Sequence, residues 1–217
     1  MPQSSLGMAI HVFGLTGGIA TGKSTVAAQW RRRGLPVVDA DQLARDVVAP
    51  GTDGLAAVVR LFGDSVLDEN GNLNRKQVGR LVFADSAARA SLEALLHPLI
   101  DVELRTKTHE FEMRGEPLAC YEAPLLVETG RAGAFRPLVL VTADETAQIS
   151  RVIRRDNAAE HEIRARISAQ LPLAKKAALA DILIRNEGSY QQLLAQADDT
   201  LAAICLRLSV DARRYGY

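Results

Sequence analysis

GLTGGIATGKSTVAAQWRRRG, residues 14–34, couples an uncharged apolar run to a helix through a loop with a fixed pattern: Gly17, four residues, then Gly22, Lys23 and Ser24. Ile10, Val12, Phe13 and Leu15 ahead of it suit a strand buried on both faces of a parallel sheet. Small residues from Gly17 through Gly18, Ile19, Ala20 and Thr21 to Gly22 let successive backbone N–H groups turn inward around an anion. Lys23 brings a mobile positive charge. Ser24 offers a hydroxyl to a Mg²⁺ ion that bridges phosphates, and Thr25 continues the first turn of the helix whose positive end faces the same anion. The pattern in this strand–loop–helix setting predicts a nucleotide-phosphate site. Arg31, Arg32 and Arg33 before Gly34 read as a helix end whose cations complement the dipole, with Gly34 in the left-handed conformation, rather than as a nucleic-acid patch.

LPVVDAD follows at once. Asp39 and Asp41 stand two apart at the carboxyl end of a second strand, beside the crevice where open parallel sheets bind ligands. Two readings of Asp41 stand side by side: a base that receives a proton, or a cap for the helix beginning near Gln42. Further short apolar runs predict strands over residues 36–39, 117–121, 137–142 and 181–185, alternating with helical patterns as an α/β nucleotide-binding fold requires. The fold expected is a five-stranded parallel sheet flanked by helices, of the P-loop kinase kind, with a core from residues 8–40, 115–143 and 178–208.

Two segments exceed what a simple crossover needs. Residues 41–114 look like a helical substrate module, with a helix over 55–62 stopped by Gly63, a turn at DENGN (68–72), and a mainly helical 84–114 broken near His97 and Pro98. Residues 144–177 are rich in charge and helix formers and place Arg151 and Arg155 one turn apart, which fits either a mobile lid or a solvated helix whose arginines pair with Asp156, Glu160 and Glu162. Residues 1–7 and 209–217 are expected to be flexible termini.

Composition narrows the function classes. With 47% apolar and 24% charged residues the chain carries an ordinary globular core, and 26 basic against 26 acidic residues argue against an extended nucleic-acid surface. Cys120 and Cys205 lie outside any metal-ligand spacing and read as buried thiols. No run approaches membrane-spanning length and MPQSSLG lacks the features of a secretion signal, so a cytoplasmic protein without a membrane partner is expected. DENG at residues 68–71 fits the D-x-x-G pattern of a GTP-driven switch, yet no N-K-x-D guanine-reading motif follows.

The series GLTGGIATGKST (14–25), VVDADQLARDVVAPG (37–51), FGDSVLDENGNLNR (62–75), LEALLHPLI (92–100), PLLVE (124–128), RVIRRD (151–156), RISAQ (166–170) and ADILIRNEG (180–188) resembles the bacterial dephospho-CoA kinase family from about residue 10 to 206. The phosphate loop is shared with very many proteins; its combination with DAD, HPLI and PLLVE is far more specific. The resemblance implies an enzyme that passes the γ-phosphoryl group of ATP, with Mg²⁺, to the ribose 3′-hydroxyl of dephospho-CoA, as a monomer or weak homo-oligomer. It implies Asp41 as the base and Arg45 as a residue orienting the substrate's phosphate. It places Thr16, His97, Leu125 and Glu128 on the coenzyme side, Lys23, Arg151 and Arg155 around the transferred phosphate, and Asn186 near the adenine. His97 before Pro98 also suits a purely local role at a helix break. The sequence departs from the family at Ala20, where glycine is common. Glu122 reads either as an outer partner of Mg²⁺ or as a solvent-facing strand end, which leaves the metal to Ser24. Another small-molecule kinase and a silent nucleotide-binding module are the competing readings, separated by acceptor-dependent release of ADP.

Overall fold

The computed structural model describes residues 9–217, so the expectation for residues 1–7 lies outside the described residues. The strands are β1 His11–Gly17, β2 Val37–Asp39, β3 Leu118–Glu122, β4 Leu138–Thr142 and β5 Ile182–Arg185. They form one sheet in the order β2-β3-β1-β4-β5. The pairing is parallel: Phe13 lies opposite Cys120, Leu15 opposite Val139, and Leu140 opposite Leu183. β1 therefore occupies the centre, which is why residues 13–17 are buried without alternation. All five strands fall within about a residue or two of their expected positions, because short β-rich runs bounded by proline or turn residues have few alternative structures.

The helices are α1 Lys23–Arg32, α2 Ala40–Asp46, α3 Asp53–Phe62, α4 Arg75–Ala84, α5 Ser86–Met113, α6 Glu145–Asp156, α7 Glu160–Ser168, α8 Leu173–Ala177 and α9 Tyr190–Arg207. The sheet and helices α1 and α9 share one core, in which Phe13, Leu15, Val26, Trp30, Leu201 and Ile204 are fully buried. Phe13 meets Trp30 edge to face at 5.3 Å, and the Trp30 indole N–H donates to the Ala197 carbonyl at 2.8 Å, so the ring is buried without an orphaned donor.

The chain divides into two compact units, residues 39–110 and the remainder. The smaller unit has its own core of Val48, Val58, Val66 and Val78, against which Phe62, Leu92, Leu95 and Leu96 pack. In the DENGN turn, Asp68 accepts from the N–H groups of Asn70 and Asn72, and Gly71 takes φ +76°. The hydrogen bonds from Asn72 and Asn70 hold the Asp68 carboxyl below its usual range.

Two expectations are corrected. The break near His97 and Pro98 is absent: Pro98 lies inside a continuous 28-residue α5. Interior proline costs a helix about 3 kcal/mol, and the apolar stripe of Leu92, Leu95 and Leu96 packed into the valine core offsets that cost. The flexible terminus at 209–217 is absent too, since Val210 and Tyr215 are buried. Asp198 on α9 accepts from the Tyr217 hydroxyl at 2.9 Å, from Gln29 at 2.8 Å and from the Arg33 guanidinium, whose carbon sits 5.0 Å over the Tyr217 ring. Aromatic packing and a shared carboxylate order the tail.

Candidate active site

The loop begins where β1 ends. Thr21 closes it on itself, donating to the Gly18 carbonyl through both its N–H (3.3 Å) and its hydroxyl (3.0 Å). Gly22 caps α1 at φ +101°, ψ +9°, a conformation that an L side chain resists, and supplies no side chain to cover the helix end. Its carbonyl accepts from the N–H groups of Thr25 and Val26. The N–H groups of Lys23 and Ser24 have no acceptor within the helix, which makes this end a seat for an anion.

Three elements hold the loop's polar groups. The Arg151 guanidinium on α6 donates to the Ala20 carbonyl and to the Asn186 carbonyl, each at 3.1 Å. The buried Asn186, just beyond β5, donates its amide to the Thr21 carbonyl at 2.8 Å, while its own N–H is fixed on Thr142 at 2.8 Å. Gln170, beyond α7, accepts from the Ile19 N–H at 3.0 Å. Ala20 adopts φ +54°, a left-handed conformation that glycine takes at less cost than alanine. A left-handed alanine costs about 1 kcal/mol or more, and Ala20 offsets part of it by packing with Ile19 against Ile149, Val152 and Ile163 of α6 and α7. Helices α6 and α7 thus rest on the loop itself.

At the carboxyl end of β3, Glu122 is almost fully buried and faces the loop. Its carboxylate meets the Lys23 ammonium at 2.7 Å and the Arg31 guanidinium at 3.3 Å. This decides the open choice for Glu122 against a solvent-facing strand end. Each residue of the triple arginine has a protein partner: Arg31 on Glu122, Arg32 on Gln29 and Tyr190, Arg33 on Asp198. Burial pushes the neighbouring Cys120 thiol well up, so it stays neutral, and both cysteines are buried. Among the described residues no group of three or more His, Cys, Asp or Glu is arranged to hold a metal. Ser24 and Glu122 offer hard oxygens of the kind Mg²⁺ takes, and that ion completes its shell with phosphate and water rather than with a protein cage.

The two arginines of α6 part company. Arg151 reaches the loop, whereas Arg155 is exposed and forms two hydrogen bonds, at 2.7 and 2.9 Å, with its neighbour Asp156. These hold the Asp156 carboxyl below its usual range. The helical run itself is split, because Asn157 takes φ +51° and ends α6. Beside the loop lies a cavity of about 580 Å³, lined by Gly18, Asp144, Gln148, Gln170 and Leu173 among others. That size suits a small-molecule group.

PLLVE follows β3, and two of the residues expected on the coenzyme side, Thr16 of β1 and Glu128, make hydrogen bonds within the protein. Thr16 is fully buried within β1, its hydroxyl donating to the Pro124 carbonyl at 3.1 Å. Glu128 pairs with the Lys176 ammonium at 2.6 Å and accepts from the Leu171 N–H at 3.2 Å, so its carboxylate serves the protein's own chain. Leu125 is 44% exposed and remains available for contact.

In the smaller unit the two acids of DAD divide their roles. Asp39 is the N-cap of α2, accepting from the N–H groups of Asp41 and Gln42. Asp41 is an exposed residue of the first turn and does not act as the cap. Arg45 lies on the same helix and donates to Gln42 at 3.1 Å, and His97 is exposed on α5.

Gln170 and Lys176 are the residues that sequence reasoning left without a role. Gln170 stood inside RISAQ, where its position at the end of a helical run was the one available signal. Lys176, in LPLAKKAALA, looks like any solvated lysine, and no local pattern marks it as buried.

A family model described as Dephospho-CoA kinase matches residues 11–192. Dephospho-CoA kinase of Anaeromyxobacter dehalogenans is 48% identical over 193 residues, covering 89% of this chain and 92% of that one. Its counterpart in Shouchella clausii is 43% identical, covering 87% and 96%. Among solved structures, TT1252 from Thermus thermophilus superposes with a TM-score of 0.79 at 34% identity, covering 90% of this chain and 97% of that one. The dephospho-CoA kinase of Campylobacter jejuni shares the fold, with a TM-score of 0.67 at 23% identity over 89% and 96% of the two chains. With a family model spanning most of its length and relatives this similar, the chain belongs to the dephospho-CoA kinase family.

Proposed function

We propose that the protein transfers the γ-phosphoryl group of ATP to the ribose 3′-hydroxyl of dephospho-CoA, giving coenzyme A and ADP, the final step of coenzyme A synthesis, with Asp41 as the base. The observation that carries the assignment of Asp41 is the division of roles in DAD: Asp39 supplies the helix cap, so the Asp41 carboxylate is not consumed by it. The smaller unit serves the coenzyme side, with Arg45 and His97 among its candidate contacts, and residues 144–177 act as a lid over the nucleotide.

The steps follow from phosphoryl-transfer physics. The transition state is loose and spreads charge over the equatorial oxygens, so the protein's task is alignment and electrostatic stabilisation. The loop seats the phosphates on N–H groups at the start of α1. Arg151 and Asn186 turn the Ala20 and Thr21 carbonyls to themselves and so keep acceptor oxygens away from that seat. Lys23 waits on Glu122, and an incoming phosphate draws it across as a competing anion. Bound Mg²⁺, held through Ser24 with Glu122 in its outer shell, would supply further positive charge to the outer phosphates. Asp41 accepts the hydroxyl proton as the acceptor attacks. Seating of the lid excludes water, which would otherwise turn the kinase into an ATPase.

The test is to incubate the purified protein with Mg-ATP and, separately, dephospho-CoA, adenosine and nucleoside monophosphates, then weigh the products. One added phosphate on dephospho-CoA alone supports the proposal. A phosphorylated nucleoside monophosphate with unmodified dephospho-CoA refutes it in favour of another small-molecule kinase.

A further inference from the structure

Lys176 is completely buried, and nothing in the transfer scheme uses it. Its ammonium lies 2.6 Å from the Glu128 carboxylate and donates to the Pro124 carbonyl at 3.3 Å. Those two residues are the ends of PLLVE, and the same Pro124 carbonyl also accepts from Thr16 on the central strand. Glu128 in turn accepts the Leu171 N–H, one residue after Gln170 grips the Ile19 N–H of the phosphate loop. Residues 170–176 thus form a strap, fixed to the loop at one end and to PLLVE at the other. Burying a lysine–carboxylate pair is a poor way to add stability, because desolvation cancels most of the attraction and an apolar pair of similar volume often does as well. What such a pair supplies is a fixed geometry.

We propose that Lys176 is a positioning residue for phosphoryl transfer, holding PLLVE against the strap so that the acceptor-side segment and the phosphate loop keep one relative placement. The inference rests on the acceptor-side role that the family resemblance implies for PLLVE through its exposed Leu125. Its consequence is selective. Loss of the pair disturbs the acceptor more than the nucleotide, since Arg151 and Asn186 still hold the loop.

The test uses the full-length variants K176M/E128Q, E128Q and L125A, with urea unfolding and steady-state kinetics in Mg-ATP and dephospho-CoA. The double variant removes both charges while keeping volume and, at position 128, an amide oxygen to accept the Leu171 N–H. It is expected to unfold near the wild-type urea midpoint, with the dephospho-CoA KM raised about tenfold and the ATP KM within about twofold. E128Q keeps an acceptor for the ammonium but leaves its charge buried without a counter-ion, so it is expected to raise the dephospho-CoA KM by less than the double variant does and to unfold at lower urea than either wild type or the double variant. Wild-type KM values for both substrates in the folded double variant overturn the proposal; if that variant fails to fold, an unchanged dephospho-CoA KM in E128Q overturns it instead. L125A separates the two ideas. A raised KM in the double variant beside an unchanged one in L125A keeps Lys176 as a positioning residue and removes the contact assigned to Leu125, and the reverse pattern removes Lys176.

Discussion

Replacing Gly22 by alanine should destabilise the protein by about 2–5 kcal/mol, a magnitude that follows from two separate penalties. At φ +101° an L residue pays about 1–2 kcal/mol of backbone strain. The added Cβ would stand 2.4 Å from the Asn186 amide nitrogen and 3.2 Å from Leu193. Asn186 cannot yield cheaply: it is buried, its backbone N–H is fixed on Thr142, and its amide makes the bond to the Thr21 carbonyl. Moving it breaks that bond and leaves buried polar groups short of a partner, at about 1–3 kcal/mol. The assay is urea unfolding of the G22A, N186A and G22A/N186A proteins, with calorimetric ATP titration. With the amide already gone, G22A should cost only the strain, so the double variant should be less destabilised than the sum of the singles by about 1 kcal/mol or more. ATP affinity should fall at least about tenfold in G22A, because the seat for the phosphates is distorted. Stability and affinity within about twofold of wild type in G22A would refute the reasoning, as would strict additivity in the double variant.

Other outcomes follow from the same geometry. Asp41→Asn should keep ATP binding yet lower kcat about 10²- to 10⁴-fold, whereas Asp39→Ala should cost about 1 kcal/mol of stability through loss of the cap; both are read by kinetics and urea unfolding of each variant. Gly79→Ala should stabilise by about 0.5–1 kcal/mol, since a Cβ there meets nothing within 4 Å inside α4, while Gly54→Ala should destabilise because its Cβ would lie 1.9 Å from the Val47 carbonyl; melting temperatures check the opposite signs. The hydrogen bond from Arg33 holds the Asp198 carboxyl below its unfolded value, so its contribution is fully present above about pH 3.9 and lost as pH falls through the lower folded value. The stability gap between wild type and Asp198→Asn should therefore be wide at neutral pH and narrow progressively as the pH falls below about 3.9, which urea titrations in steps downward from about pH 7 would show.

The helical expectations illustrate which errors local reasoning makes. Gly63 and the DENGN turn were legible because glycine at positive φ and aspartate bonded to its own following backbone are local chemistry. Pro98 misled because its penalty is local while the leucine packing that offsets it involves α3 and α4. Arg151 and Arg155 had equal claims by spacing, and the neighbour Asp156 captured one of them. Thr16 and Glu128 sat in the right motifs, yet their polar atoms were claimed by Pro124, Leu171 and Lys176, residues remote in sequence.

By itself the sequence determined the strand–loop–helix phosphate site, the five strands and the family, since each depends on the identity of adjacent residues and their backbone preferences. Only the tertiary structure decided that Glu122 holds Lys23, that Arg151, Asn186 and Gln170 grip three successive loop residues, and that Asp39 rather than Asp41 caps α2. The reason is physical. A polar side chain takes the nearest unsatisfied partner that folding brings to it, and which partner is nearest is a property of the packed chain.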